Sequence, residues 1–170
     1  MNGQYCVDTN IFITAWYRSH PVDVFPTLWK QLAQCRNDIV LIKPIFDDIE
    51  PFSPADQKIP LDKKREKYPL RVWIENNKFD GAPVNDETEA LSLELEKTYE
   101  ITNESKGADQ KDITLIAYAK IMDKTVITFE GMQNEKPGKK YNYKIPLICH
   151  EQDVLCEDFV YMLRNLGIKV

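Results

Sequence analysis

The chain has no CxxC pair among its four cysteines, Cys6, Cys35, Cys149 and Cys156, and it has only two histidines. Zinc sites rest on Cys and His clustered at short spacings, so a zinc site is not expected. His150 directly follows Cys149, but adjacent residues seldom share a metal without two further ligands, and His20 is distant in sequence. Cys6 and Cys149 lie in apolar runs and read as buried thiols. No apolar run approaches the roughly 18 residues that span a bilayer, and the opening MNGQYCVDTN lacks the layout of a secretory leader. A cytoplasmic protein with no membrane association is the expectation. No glycine-rich phosphate loop of either common type is present, which counts against a nucleotide-binding domain.

A surplus of positive charge is missing too. Twenty-two Lys and Arg against 27 Asp and Glu leave a net charge of −5. That argues against non-specific binding to nucleic acid through a broad basic surface. It does not exclude a nuclease, because bound divalent cations neutralise an acidic pocket and present positive charge to a phosphate. The hydrophobic fraction (43%) and charged fraction (29%) are ordinary for a globular protein. With no repeat, low-complexity tract or linker, residues 1–170 are expected to form a single domain.

The patterning alternates short apolar runs with helical spacing. Residues 4–7 are apolar and β-prone and stop at Asp8-Thr9-Asn10. Residues 11–17 begin a helix that Pro21 breaks, and 22–35 show apolar positions at helical spacing. The run 39–42 suits a buried parallel strand, and Pro44 then opens a short helix carrying Asp47, Asp48 and Glu50. Residues 55–81 are charged, with a helix expected through Val72-Trp73-Ile74. Asn85-Asp86 caps a helix running towards Ile101, and Asp109 caps another carrying Ile113, Ile116, Ala117 and Ile121. A strand at 125–129, a basic loop at 134–144, a strand at 145–149 and a helix at 154–166 complete the reading. Such alternation predicts an α/β domain with a mostly parallel central sheet flanked by helices in three layers.

Ligands of open parallel sheets gather outside the carboxyl ends of the strands. Asp8 and Glu130 both end strands and are expected at that edge. Asp48 lies on the helix entered after residues 39–42. Asp109 and Asp112 share one face of the first turn of their helix, whose start is expected at the same edge. Carboxylates crowded together raise one another's pKa values, and Mg²⁺ or Mn²⁺, which prefer oxygen ligands, resolve that conflict. Each acid also has a structural alternative. Asp8 suits an Asx turn or helix cap, Asp109 and Asp112 a capping pair, Asp47, Asp48 and Glu50 a solvated helix face, and Glu130 simple turn chemistry.

The pattern resembles the PIN-domain nucleases, and in particular a bacterial PIN-like branch related to toxins of toxin–antitoxin pairs. Val7-Asp8-Thr9-Asn10-Ile11-Phe12-Ile13 resembles the opening strand with its first metal-binding aspartate. Pro44-Ile45-Phe46-Asp47-Asp48-Ile49 resembles the second motif, with Asp48 where a Glu is more usual. Asp112 to Ala119, DITLIAYA, is similar to the third, and Val126-Ile127-Thr128-Phe129-Glu130 to the fourth. Lys144-Ile145-Pro146 resembles the start of that branch's last strand. The likeness covers nearly the whole chain, least in 51–105. It implies a metal-dependent endoribonuclease that hydrolyses RNA phosphodiesters, the toxin of a type II pair. By the same resemblance Asp8, Asp48, Asp112 and Glu130 are catalytic metal ligands for Mg²⁺ or Mn²⁺, with Asp109 auxiliary. Thr9, Asn10, Thr128 and Lys111 are the implied substrate contacts. Lys136, Lys139, Lys140 and Lys144 are either a grip on RNA or simply solvated charges. The implied partners are RNA, a cognate antitoxin and a second copy of the chain. The alternatives are a PIN-like binding or scaffold protein without catalysis, or a nuclease directed at DNA.

Overall fold

The computed structural model describes residues 4–170; residues 1–3, which enter the expectation about the leader, lie outside it. Its centre is a five-stranded sheet in which every described pairing is parallel. β1 (Tyr5–Val7) is the middle strand. On one side it pairs with β2 (Ile39–Ile42), which pairs with β3 (Gly81–Ala82). On the other side it pairs with β4 (Thr125–Ile127), which pairs with β5 (Cys156–Glu157). The spatial order β3-β2-β1-β4-β5 means that the chain builds outward in one direction and then crosses back to start the other half. The strand order therefore reverses at the carboxyl ends of β1 and β4, the place where open α/β sheets hold ligands.

Helices follow the strands: α1 (Thr9–Thr14), α2 (Pro26–Gln34), α3 (Lys43–Asp48), α4 (Leu61–Lys67) and α5 (Pro69–Asn76). α6 (Asp86–Thr98) and α7 (Gln110–Met122) then precede β4, α8 (Ile145–Glu151) precedes β5, and α9 (Phe159–Asn165) follows it. α1 runs on into a π-helical turn over Ala15–Ser19. Trp16, Trp29 and Trp73 meet edge-on or tilted around Phe12 and Phe79, joining α1, α2 and α5. α7 is buried on most of its faces, with Ile113, Leu115, Ile116, Ala117, Tyr118 and Ala119 all in the core. Burying each large aliphatic side chain contributes roughly 1.5–3 kcal/mol, so the start of α7 is held firmly in place. Among the described residues no helix is long and apolar enough to cross a membrane.

Three expectations need correction. Residues 145–149 are not a strand but the body of α8, and all five are buried. A short apolar run reads alike as buried strand or buried helix. Pro146, placed in the first turn where its missing N–H costs nothing, decides for helix. The helix expected over 154–166 is divided: β5 comes first, and Asp158 then caps α9 by accepting the Tyr161 N–H at 2.7 Å. The strand expected over 125–129 stops at Ile127. Within 55–81, β3 carried no strand signal, since a two-residue Gly-Ala segment has no alternation to detect.

Candidate metal and nucleic-acid site

Asp8 directly follows β1, and its N–H extends the β1–β4 ladder by bonding to Ile127 O at 3.0 Å. Its side chain turns in beneath α1, where it accepts the Asn10 N–H (3.4 Å) and the Thr128 hydroxyl (3.1 Å). It is only 2% exposed. Burial pushes its pKa up to about 6; the hydrogen bonds from Thr128 and Asn10 oppose that rise, and the charges of Glu130 and Asp109 add to it. Asp8 is thus a helix cap, as its structural alternative supposed, and also a member of a carboxylate cluster.

Thr128, equally buried, links two of the acids. Its hydroxyl donates to Asp8 and accepts the Glu130 N–H at 3.1 Å. Glu130 in turn accepts the Ile145 N–H at 3.0 Å, tying the end of the β4 segment to the first residue of α8. On the facing element Asp109 and Asp112 form a reciprocal capping box, each side chain accepting the other's N–H at 3.0 Å. The Asp112 carboxyl is held well above the ordinary range, first by desolvation and then by the Asp109 charge, with Asp8 and Glu130 adding to the rise. Acids from β1, α7 and the end of β4 therefore sense one another's charge.

Asp48 stands apart from this group. It ends α3, its side chain is 44% exposed, and it pairs with Lys111 Nζ at 3.0 Å. That pairing raises the Lys111 pKa, and the Asp109 and Asp112 charges contribute, so Lys111 bridges Asp48 to the cluster. Thr9 is half-buried in the first turn of α1, and Asn10 is exposed beside it. Among the basic-loop residues Lys136 pairs with Glu151 at 2.8 Å, while Lys139, Lys140 and Lys144 are exposed. The loop is seated by a contact that sequence reading passed over. The Ala108 N–H bonds to Tyr143 O at 2.8 Å, and a Cβ on Gly107 would lie 2.1 Å from that same oxygen. The Lys106-Gly107 step before the Asp109 cap was its only trace in the sequence.

Among the described residues no three Asp, Glu, His or Cys side chains form a ready ion cage. Each carboxylate is already engaged: Asp8 with Thr128, Glu130 with Ile145, Asp109 with Asp112, and Asp48 with Lys111. The donor set is nevertheless entirely oxygen, and Mg²⁺ commonly takes only one or two carboxylates and keeps several waters. A hard divalent cation would also offset the cost of burying charge, and the smaller repulsion between the acids, that raise Asp8 and Asp112. By donor chemistry the residues fit Mg²⁺ or Mn²⁺.

A family model described as Domain of unknown function (DUF4411) matches residues 5–170. No curated protein matches the chain in sequence. In three dimensions the chain is similar to one in the crystal structure of VapBC2 from Rickettsia felis bound to a DNA fragment from their promoter. The TM-score is 0.52 at 16% identity, covering 91% of this chain and 98% of that one. The likeness establishes the fold, which is PIN-like.

Proposed function

We propose that this chain, which belongs to the DUF4411 family and has a PIN-like fold, is a metal-dependent endoribonuclease and the toxin of a type II toxin–antitoxin pair. The observation that carries the reading is the meeting of Asp8, Asp112, Asp109 and Glu130, from three separate elements, at the carboxyl ends of β1 and β4. Asp8 and Asp112 would hold Mg²⁺ or Mn²⁺, with Glu130, Asp109 and Asp48 completing the set directly or through water. When bound, such an ion supplies charge for the scissile phosphate and acidifies a water to serve as nucleophile.

The chain's own residues position the reaction. Thr128 keeps Asp8 in one rotamer and fixes the Glu130 backbone through the same hydroxyl. Thr9 and Asn10, at the exposed start of α1, orient a water or a phosphate oxygen. Lys111, held by Asp48 at the rim, meets the RNA backbone, and Lys139, Lys140 and Lys144 extend that contact. The likeness to the VapBC2 structure supports an antitoxin partner; that this partner covers the acidic site, and that the single-domain chain forms a homodimer, are parts of the same proposal.

A second reading, a binding module without catalysis, is favoured by one observation: the Asp48–Lys111 ion pair and the other engaged acids leave no ready cage. One assay separates the two. The purified protein is incubated with structured RNAs and single-stranded DNA, in Mn²⁺ or in EDTA, beside Asp8→Asn. RNA cleavage that needs both Mn²⁺ and Asp8 is expected, whereas full activity in Asp8→Asn rejects the nuclease reading. Absence of both Mn²⁺ binding and cleavage favours the binding module.

A further inference from the structure

Beside the carboxylates lies a cavity of about 550 Å³, between the end of α6, the 101–107 segment and the start of α7. That is within the roughly 300–1,000 Å³ usual for small-ligand sites. Asp109 and Lys111 line it, so it opens directly next to the carboxylate cluster. Its other walls include Ile101, Glu96, Asn103 and Gln110. A second cavity of about 290 Å³ shares Glu96 and Gln110 and continues the hollow between α6 and α7.

Three polar side chains of the lining are available to a ligand: Asn103 and Gln110 are exposed, and Glu96 is half-buried. Among the described residues the side chains of Glu96, Asn103 and Gln110 have no hydrogen-bond or ion-pair partner. The wall that carries Asn103 is braced from within: Ser105 Oγ accepts the Thr102 N–H at 3.0 Å, and the Ser105 N–H bonds back to Thr102 O at 3.2 Å. Ile101 packs partly buried against the core and offers an apolar surface.

The charge of this lining selects its occupant. Glu96 and Asp109 are acidic, and the Lys111 ammonium is already held by Asp48. Away from the Lys111 rim, where the RNA backbone would pass, the acidic wall of Glu96 and Asp109 disfavours a phosphate and suits a neutral ring bearing amino groups. Sequence-specific RNA recognition takes unstacked bases and hydrogen-bonds their Watson–Crick edges. Carboxylates accept from amino groups of bases, and amides pair with mixed donor and acceptor edges.

We propose that this cavity receives the unstacked base of the nucleotide flanking the cut phosphate and prefers guanine. Glu96 accepts the guanine N1–H and 2-amino hydrogens, and Asn103 and Gln110 meet its remaining polar edge. Uracil, which has no amino group, is the poorest fit. The inference rests on the nuclease reading for its place in a reaction, but the binding pocket is testable without cleavage.

The first experiment sequences the products of a randomised RNA pool cut by the wild type and by Glu96→Gln. A guanine preference at one flanking position is expected, reduced about tenfold in Glu96→Gln. No preference in the wild type, or the same preference in the variant, overturns the proposal. If the wild type cuts no RNA, the nuclease reading fails and a second measurement judges the pocket. Titration of ¹⁵N-labelled protein with GMP, CMP, AMP and UMP in EDTA is expected to shift the Asn103 and Gln110 amides, most with GMP. No shift with any of the four, or a larger shift with AMP, CMP or UMP than with GMP, overturns it.

Discussion

Asp8 shows how one carboxylate serves two ends. Its hydrogen bonds cap α1 and hold the Thr128 hydroxyl, yet its burial beside other acids makes its charge costly. The group has a folded pKa of about 6, above its ordinary value of 3.8. The folded state therefore binds the proton more tightly than the unfolded state. Stability from this group is fully present below about pH 4 and is lost as pH rises through about 6. The rise from 3.8 to about 6 corresponds to about 3 kcal/mol. Asp8→Asn, which keeps the acceptor and removes the charge, is expected to be more stable than the wild type by about that amount at pH 8 without metal. The gap is expected to close towards pH 4, as read by urea denaturation at both pH values. A variant equally destabilised at both pH values would show that the cap, not the buried charge, dominates.

At the scale of elements, α7 and the basic loop depend on one small residue. Gly107 lets the backbone before the Asp109 cap pass against Tyr143 O, where any Cβ would collide with main chain. Gly107→Ala is expected to cost about 2 kcal/mol or more, because neither segment can yield as a flexible side chain would. Gly131→Ala, with nothing within 4 Å of its added Cβ, is expected to change stability by less than about 0.5 kcal/mol. Urea midpoints of the two variants make the comparison. The helix starts at Asn85 and Asp109 were legible in the sequence because capping is local chemistry. The nature of 145–149 was not, because a short apolar run reads alike as buried strand or buried helix, and only the placing of Pro146 in the first turn settles it.

For the whole molecule, the proposal makes stability and cation binding a single equilibrium. An ion held only by the folded cluster stabilises it by about 2.7 kcal/mol at a hundred times its Kd. For a domain of this size each kcal/mol raises Tm by roughly 2–4 °C. Mn²⁺ is therefore expected to raise the Tm by about 5–10 °C at pH 8, and the gain should disappear in the double variant Asp8→Asn, Asp112→Asn. A wild-type Tm that ignores Mn²⁺ and Mg²⁺ alike would count against both ions as ligands.

The sequence by itself determined the strands β1, β2 and β4 with the helices around them, the parallel class of the sheet, and the placing of Asp8 and Glu130 after β1 and β4. These follow from apolar periodicity, turn residues and strand direction, all of which act over a few neighbours. The tertiary structure decided which acids share a field. It brought Asp112 and Asp109 to Asp8 by fixing α7 in the core, and it left Asp48 at the rim against Lys111. It also opened the hollow walled by Glu96, Asn103 and Gln110, whose chemistry no local pattern marks. The physical reason is distance along the chain: burial, charge coupling and cavities belong to residues that meet only after the sheet has ordered them.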